Sequence, residues 1–223
     1  MTHFAKILAS TALAAGMTVG AAAAATVSVL NSNPQGSGNG AGISFAVGYG
    51  ANTPVDASWA AAPDTVVGNS YHVAQSPFNS NGLTGTNSYF SVDPINTTNN
   101  PAILTFNIAQ TVFNILWGSV DSYNSITFSD GSTDWTYDGV DIALAAGIID
   151  ATQAAIDKTK DVRYEISALV NFSDFDNAFT SVSFNSTNVA FEYALAPVPL
   201  PAGGVLLVTA LGGLVLARRR KSA

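Results

Sequence analysis

The sequence predicts a mainly β protein: an antiparallel β-sandwich or jelly-roll-like domain with one helical excursion, plus an N-terminal signal peptide and a single apolar C-terminal helix. Three observations predict it. Short alternating apolar segments recur from Ile43 to Leu195, separated by turns rich in Gly, Asn, Asp and Pro. Only residues 141–158 change from that period to a helical one. Two long apolar runs, one at each end, are set apart from the body by the flanks of targeting segments. The 223 residues therefore divide into a signal peptide (1–25), an extracytoplasmic β-sandwich domain (26–197) and a C-terminal sorting segment (198–223).

In the leader, Lys6 supplies the positive start, Ile7 to Val19 the apolar segment and Ala21–Ala25 an A-x-A context. Cleavage is expected between Ala25 and Thr26. Asn31–Gly42 is too rich in Gly, Asn and Ser to form a core and reads as a loop. Ile43, Phe45, Val47 and Tyr49 then alternate as a half-buried strand. Residues 50–101 are turn-heavy and should hold short strands between long loops. Leu104-Thr105-Phe106-Asn107-Ile108 alternates cleanly, and Phe113–Val120, apolar on both faces, should be a central strand.

A hairpin follows. Asn124–Ser129 and Ser132–Tyr137 flank Asp130-Gly131, a dipeptide suited to a two-residue type I′ turn. That register sets Ile126 opposite Trp135 and Phe128 opposite Thr133. It places Ile126, Phe128, Trp135 and Tyr137 on one face, with Thr127, Asp134 and Thr136 on the other. In 141–158, Ile142, Ala145, Ile149 and Ile156 fall near one helical face, with Asp141 as cap. Strands resume with Tyr164 to Phe172, Val182 and Phe184, and Val189 to Leu195. There is no internal repeat.

Charge narrows the partners. Only 10% of residues are charged, against roughly 25% in an ordinary globular protein. Residues 26–197 hold three cations against all fifteen carboxylates, a formal charge of −12. Such a body has too few cations to neutralise phosphates, which argues against nucleic acid. The absence of cysteine removes disulfides, thiol nucleophiles and cysteine metal sites.

Catalytic signals are thin. His72 is the one histidine left after leader removal, no G-x-S-x-G elbow exists, and Tyr71-His72-Val73 reads as strand. The two glutamates, Glu165 and Glu192, fall in alternating strands with polar side chains outward, so a carboxylate pair for glycoside hydrolysis is a third-rank reading. Asp130, Asp134 and Asp138 recur at a spacing of four, but Asp134 and Asp138 fall on the solvent face of a strand. Asp174-Phe175-Asp176 is a D-x-D in a loop. Calcium, which takes about six to eight oxygens, is thus the one candidate metal, with Asp174 and Asp176 as first ligands. Neither an EF-hand pattern nor nonapeptide repeats accompany them, and no other cofactor is expected. Trp117 and Trp135 read as core, leaving Trp59, Tyr71 and Tyr89 as candidates for an exposed glycan-stacking surface.

At the C-terminus, Pro197, Pro199 and Pro201 stiffen the approach to an apolar run, Ala202–Ala217, which Arg218, Arg219, Arg220 and Lys221 close. Sixteen helical residues span roughly 24 Å, short of a ~30 Å hydrocarbon core, and four glycines weaken the helix further. The basic stop should stay cytoplasmic, leaving the body outside. Val198-Pro199-Leu200-Pro201-Ala202, the span and the basic cluster together resemble the VPLPA variant of the PEP-CTERM sorting signal. That resemblance implies a Gram-negative host and processing by an exosortase, a multi-pass membrane transpeptidase-like enzyme. In the body, Leu116-Trp117-Gly118-Ser119-Val120-Asp121-Ser122-Tyr123-Asn124 with Ile126-Thr127-Phe128, then Tyr137–Ile142 and Val189–Tyr193, are similar to motifs of exosortase-dependent surface proteins. Residues 142–163 depart from that pattern, being more helical and holding all three body cations. No catalytic residues are implied.

The expectation is an exported, non-enzymatic protein of the cell surface or extracellular polysaccharide matrix. It would be held briefly in the inner membrane by its tail, with the export machinery and an exosortase as partners and exopolysaccharide as a further candidate partner. The alternative is a calcium- or carbohydrate-binding adhesive module; a glycan-active hydrolase ranks below both.

Overall fold

A computed structural model of the chain describes residues 25–34, 49–68, 76–78, 88–95, 100–118 and 120–195, the side chains of 31–34 excepted. The leader expected before Ala25, the strand expected over 43–47, the segment holding Tyr71 and His72, and the whole of 198–223 lie outside these residues. Among them are eleven strands and two helices: β1 Thr26–Pro34, β2 Ala57–Ala61, β3 Asp64–Val67, β4 Ser88–Val92, β5 Ala102–Gln110, β6 Phe113–Gly118, β7 Asn124–Ser129, β8 Asp134–Asp138, α1 Gly139–Ala145, α2 Ala151–Asp157, β9 Ile166–Ser173, β10 Phe179–Ser186 and β11 Phe191–Leu195. All pairings are antiparallel. They make a six-stranded sheet ordered β1-β9-β6-β11-β4-β3 and a five-stranded sheet ordered β2-β5-β10-β7-β8.

The two sheets face each other across one apolar core. Leu104 and Phe106, Ile126 and Phe128, Trp135 and Tyr137, and Val182 and Phe184 point in from the five-stranded sheet. Ile115 and Trp117, Val170 and Phe172, and Phe191 and Tyr193 meet them from the other. Aromatic rings tie the layers: Phe184 stacks on Tyr193 at 4.2 Å and Phe128 lies 4.9 Å from Phe172. Period-two alternation thus does what the sequence predicts, and β6 is central, between β9 and β11.

The outer faces of the sheets differ. The five-stranded sheet presents small polar side chains, among them Thr127 and Thr136, whose hydroxyls bond at 2.8 Å. On the six-stranded sheet, Phe78 joins Tyr89, Leu116 and Ala194 in a second buried cluster with Tyr49 and Val66 against it. Both faces of β11 are therefore covered, and all five of its residues are buried. This corrects the outward placement of Glu192, whose side chain is 2% exposed. Glu165 also departs: it precedes β9 with a left-handed φ of 52° and is exposed rather than part of a strand.

Three local expectations change. Asn31–Pro34 belong to β1, not to a loop; β1 is an edge strand, where Pro34 interrupts no inner ladder. In the β7–β8 hairpin the register is shifted by two, with Ile126 opposite Tyr137 and Phe128 opposite Trp135. The cause is Asp130, whose carboxylate accepts from the amides of Ser132 and Thr133, both at 2.7 Å, and so lengthens the turn to four residues. A shift of two preserves faces, so the four apolar residues still point inward.

The helical excursion is two short helices. Asp138 rather than Asp141 caps α1: its carboxylate accepts from the Asp141 amide, and Asp141 accepts in return from the Asp138 amide. Asp150 caps α2. Gly147, at φ 70°, lies between the helices. The single apolar stripe does not form: Ile142 is buried, but Ala145 and Ile156 are exposed, and Val140, Ala143 and Ala154 are buried instead.

Candidate functional site

The best-developed polar site lies where the helices meet the sandwich. The backbone of Asp121 forms an isolated antiparallel β-bridge with that of Arg163 just before β7, and Gly139 at the start of α1 closes over its backbone. The Asp121 side chain is 4% exposed and accepts from the Tyr123 hydroxyl at 2.8 Å. One helix away, buried Asp157 accepts from Tyr164 Oη at 2.8 Å and from Gln153 Nε2 at 2.6 Å. Lys158 spans the gap between the helices, bonding Asp138 Oδ2 at 3.1 Å and Asp141 Oδ1 at 2.8 Å. The outcome is four carboxylates held by phenols, an amide and one ammonium, an arrangement that locks the helices to the sandwich. It offers no activated nucleophile, and no three His, Cys, Asp or Glu side chains among the described residues are grouped to hold a metal.

Burial, opposed by the Tyr123 hydrogen bond and the Arg163 charge, pushes the Asp121 carboxyl up to about 7 from its ordinary 3.8. Burial and the neighbouring Asp121 in turn raise the Tyr123 phenol. The folded protein thus keeps a proton on Asp121 that the unfolded chain loses. This stabilisation is full below about pH 4 and is lost as the pH rises through about 7. Asp138, raised by burial and by Asp141, acts in the same direction. Asp121→Asn keeps an oxygen for Tyr123, and its Tm should fall less than the parent's between about pH 4 and about pH 8. Equal slopes in the two proteins would assign the pH dependence to other groups.

The residues singled out in the sequence are not brought together. Asp174 and Asp176 stand exposed in the β9–β10 loop, with Phe175 between them buried against Phe128, Trp135 and Phe179. The loop geometry is therefore set by an aromatic plug. Asp174 takes a left-handed φ of 59° and accepts from Ser173 Oγ at 3.2 Å. The glycan-stacking surface loses two of its candidates. Tyr89 is fully buried, and its hydroxyl donates to the Gly68 carbonyl at 2.7 Å. Trp59 packs edge-on against Phe90 at 5.1 Å, with its Nε1 donating to Thr53. Trp117 and Trp135 are core, as expected. Thr26 is the first residue of β1, while the carbonyl of Ala25 accepts from Tyr137 Oη at 3.1 Å.

Val198–Ala202 and Arg218–Lys221 lie outside the described residues; the last described residue is Leu195, at the end of β11. Among the described residues no helix is long and apolar enough to cross a membrane. Sequence reading missed the Asp121–Tyr123 and Asp157–Tyr164 pairs. The available signal was the confinement of all three body cations to 158–163, next to the only change of period. No family model matches the sequence, and neither a curated protein nor a solved structure matches it.

Proposed function

We propose that this chain is an exported, non-enzymatic protein of the cell surface or extracellular polysaccharide matrix, whose C-terminal segment is held in the inner membrane and then cut by an exosortase-type enzyme. The observation that carries the reading is the tail: Val198-Pro199-Leu200-Pro201-Ala202, the apolar run to Ala217 and Arg218–Lys221 stand in the order a sorting segment requires. A marginal span with a stiff neck and a cationic stop is suited to temporary retention. The body is consistent with this role. It is strongly acidic, and Asp130, Asp138, Asp141, Asp150, Asp121, Asp157 and Lys158 serve the turn, the caps and the helix-to-sandwich lock. The finer reading of the sandwich as jelly-roll-like is supported by neighbouring strands that alternate between sheets, as β5 and β6, or β9, β10 and β11, do.

The deciding measurement is the intact mass of the protein recovered from its native envelope. A start at Thr26 and an end near Val198–Ala202, with or without an adduct, supports the reading; a mass extending to Ala223 makes the span a permanent anchor. Replacing Arg218–Lys221 with neutral residues should impair retention of the tail at the membrane. Unchanged localisation and processing of that variant would sink the proposal.

A further inference from the structure

Three exposed aliphatic side chains gather at the end of the sandwich from which the chain departs toward its tail. β11 runs to that end, where Leu195 pairs with Ile115 and bridges Gly50. β5 finishes there too. Leu104 and Phe106 are buried, but Ile108, the next residue on the same face, has passed the limit of the core and is 67% exposed. Val112, in the turn from β5 to β6, is 47% exposed. Val55 is fully exposed beside them. Its neighbour Asp56 is fastened to the end of β5: the Asp56 carbonyl accepts from the Asn107 amide at 2.8 Å, and its carboxylate accepts from Gln110 Nε2 at 2.9 Å.

Single exposed apolar residues are ordinary on any surface. Leu144, Ile148 and Ile156 are also exposed together at the helical end; what sets Val55, Ile108 and Val112 apart is that their tip is next to the exit of the chain. From Leu195 to Ala202, where the apolar run begins, seven residues reach at most about 25 Å even when extended. If the run lies in a bilayer, as the preceding section reads it, this end of the body is confined close to the lipid surface. The same end carries Asp130, Asp134, Asp174 and Asp176, while Lys158, Lys160 and Arg163 lie at the opposite end with the helices. An anionic surface would therefore repel the tip, whereas a zwitterionic one would not.

We propose that Val55, Ile108 and Val112 form a membrane-contact surface that rests on a zwitterionic lipid interface while the C-terminal span holds the body there. Three aliphatic side chains are too little apolar area to recruit a soluble body by themselves. The tail makes their contact intramolecular, so a weak preference suffices. Contact at this tip also fixes which end of the body faces the membrane, with the helices pointing away.

The chain has no cysteine, so single-cysteine variants of the full-length protein can each carry one NBD fluorophore. I108C and V112C report the tip, I95C an exposed site at the opposite end, and L207C the tail. In phosphatidylcholine vesicles, I108C and V112C should show blue-shifted emission and lose intensity to lipids brominated near the headgroup, while I95C should stay water-like. L207C should be quenched by deeper bromines. If L207C is quenched while I108C and V112C behave like I95C, the tip proposal is overturned and the tail reading stands. If L207C itself is not quenched, the tail reading fails and the tip proposal falls with it.

Discussion

Replacing Phe128 with alanine should destabilise the protein by about 3–5 kcal/mol, a large share of the roughly 5–15 kcal/mol available to a domain. Phe128 is fully buried, and its ring centre lies 5.6 Å from Phe113, 4.9 Å from Phe172, 4.8 Å from Phe175, 5.0 Å from Phe179 and 6.2 Å from Tyr137. Those rings come from both sheets and from the β9–β10 loop, so the cavity would open where the two layers and the plug converge. Partners anchored on separate strands collapse poorly into such a void. Urea unfolding followed by tryptophan fluorescence should show a much lower midpoint at an unchanged slope. Phe128→Leu, which restores most of the volume, should recover more than half of the loss. Equal losses for both substitutions would show that ring geometry, not filled space, decides the site.

The second large effect belongs to a residue with no side chain. A Cβ on Gly139 would overlap the carbonyl of Asp121 and sit 2.8 Å from the Asp121 nitrogen. The obstacle is backbone, which cannot rotate out of the way, and Gly139 is the first residue of α1. Gly139→Ala should therefore displace the helix start, loosening the reciprocal cap of Asp138 and Asp141 and the cover over Asp121. A cost of about 3 kcal/mol is expected, at the upper end of overpacking effects. The matched control is Leu144→Ala: Leu144 lies on the same helix but is 40% exposed, and its midpoint should hardly move. If both variants unfold alike, the close approach of α1 to Asp121 is not what limits stability.

What could be read in the sequence follows the range of the interaction concerned. Inward positions of β5, β7, β9 and β10 are set by alternation within each strand, and these were legible, whereas β6, apolar on both faces, gave only its central place. The hairpin shows the limit of local reading. The faces of Ile126, Phe128, Trp135 and Tyr137 depend on period alone, whereas the register depends on which amides the Asp130 carboxylate captures. Glu192 and Tyr89 were misplaced because the cover over the outer face of the six-stranded sheet comes from distant segments, including Pro77 and Phe78. The pairing of Asp157 with Tyr164 and the bridging of Asp138 and Asp141 by Lys158 depend on how the two helices fold back on the sandwich, and no spacing encodes that. The sorting signal proposed for the tail is the reverse case, since it rests on a linear order of residue types that needs no fold to be read.

The position of β11 has a consequence for how the molecule is made. It is the last strand among the described residues, yet it lies between β6 and β4, so the sheet is completed only after its other five strands have been made. Until β11 arrives, the six-stranded sheet can exist only as two fragments, β1-β9-β6 and β4-β3, each with an open hydrogen-bonding flank. A chain ending anywhere before Phe191 keeps both flanks open and invites aggregation or proteolysis. The finished sheet thus reports that synthesis has passed Leu195, three residues short of Val198.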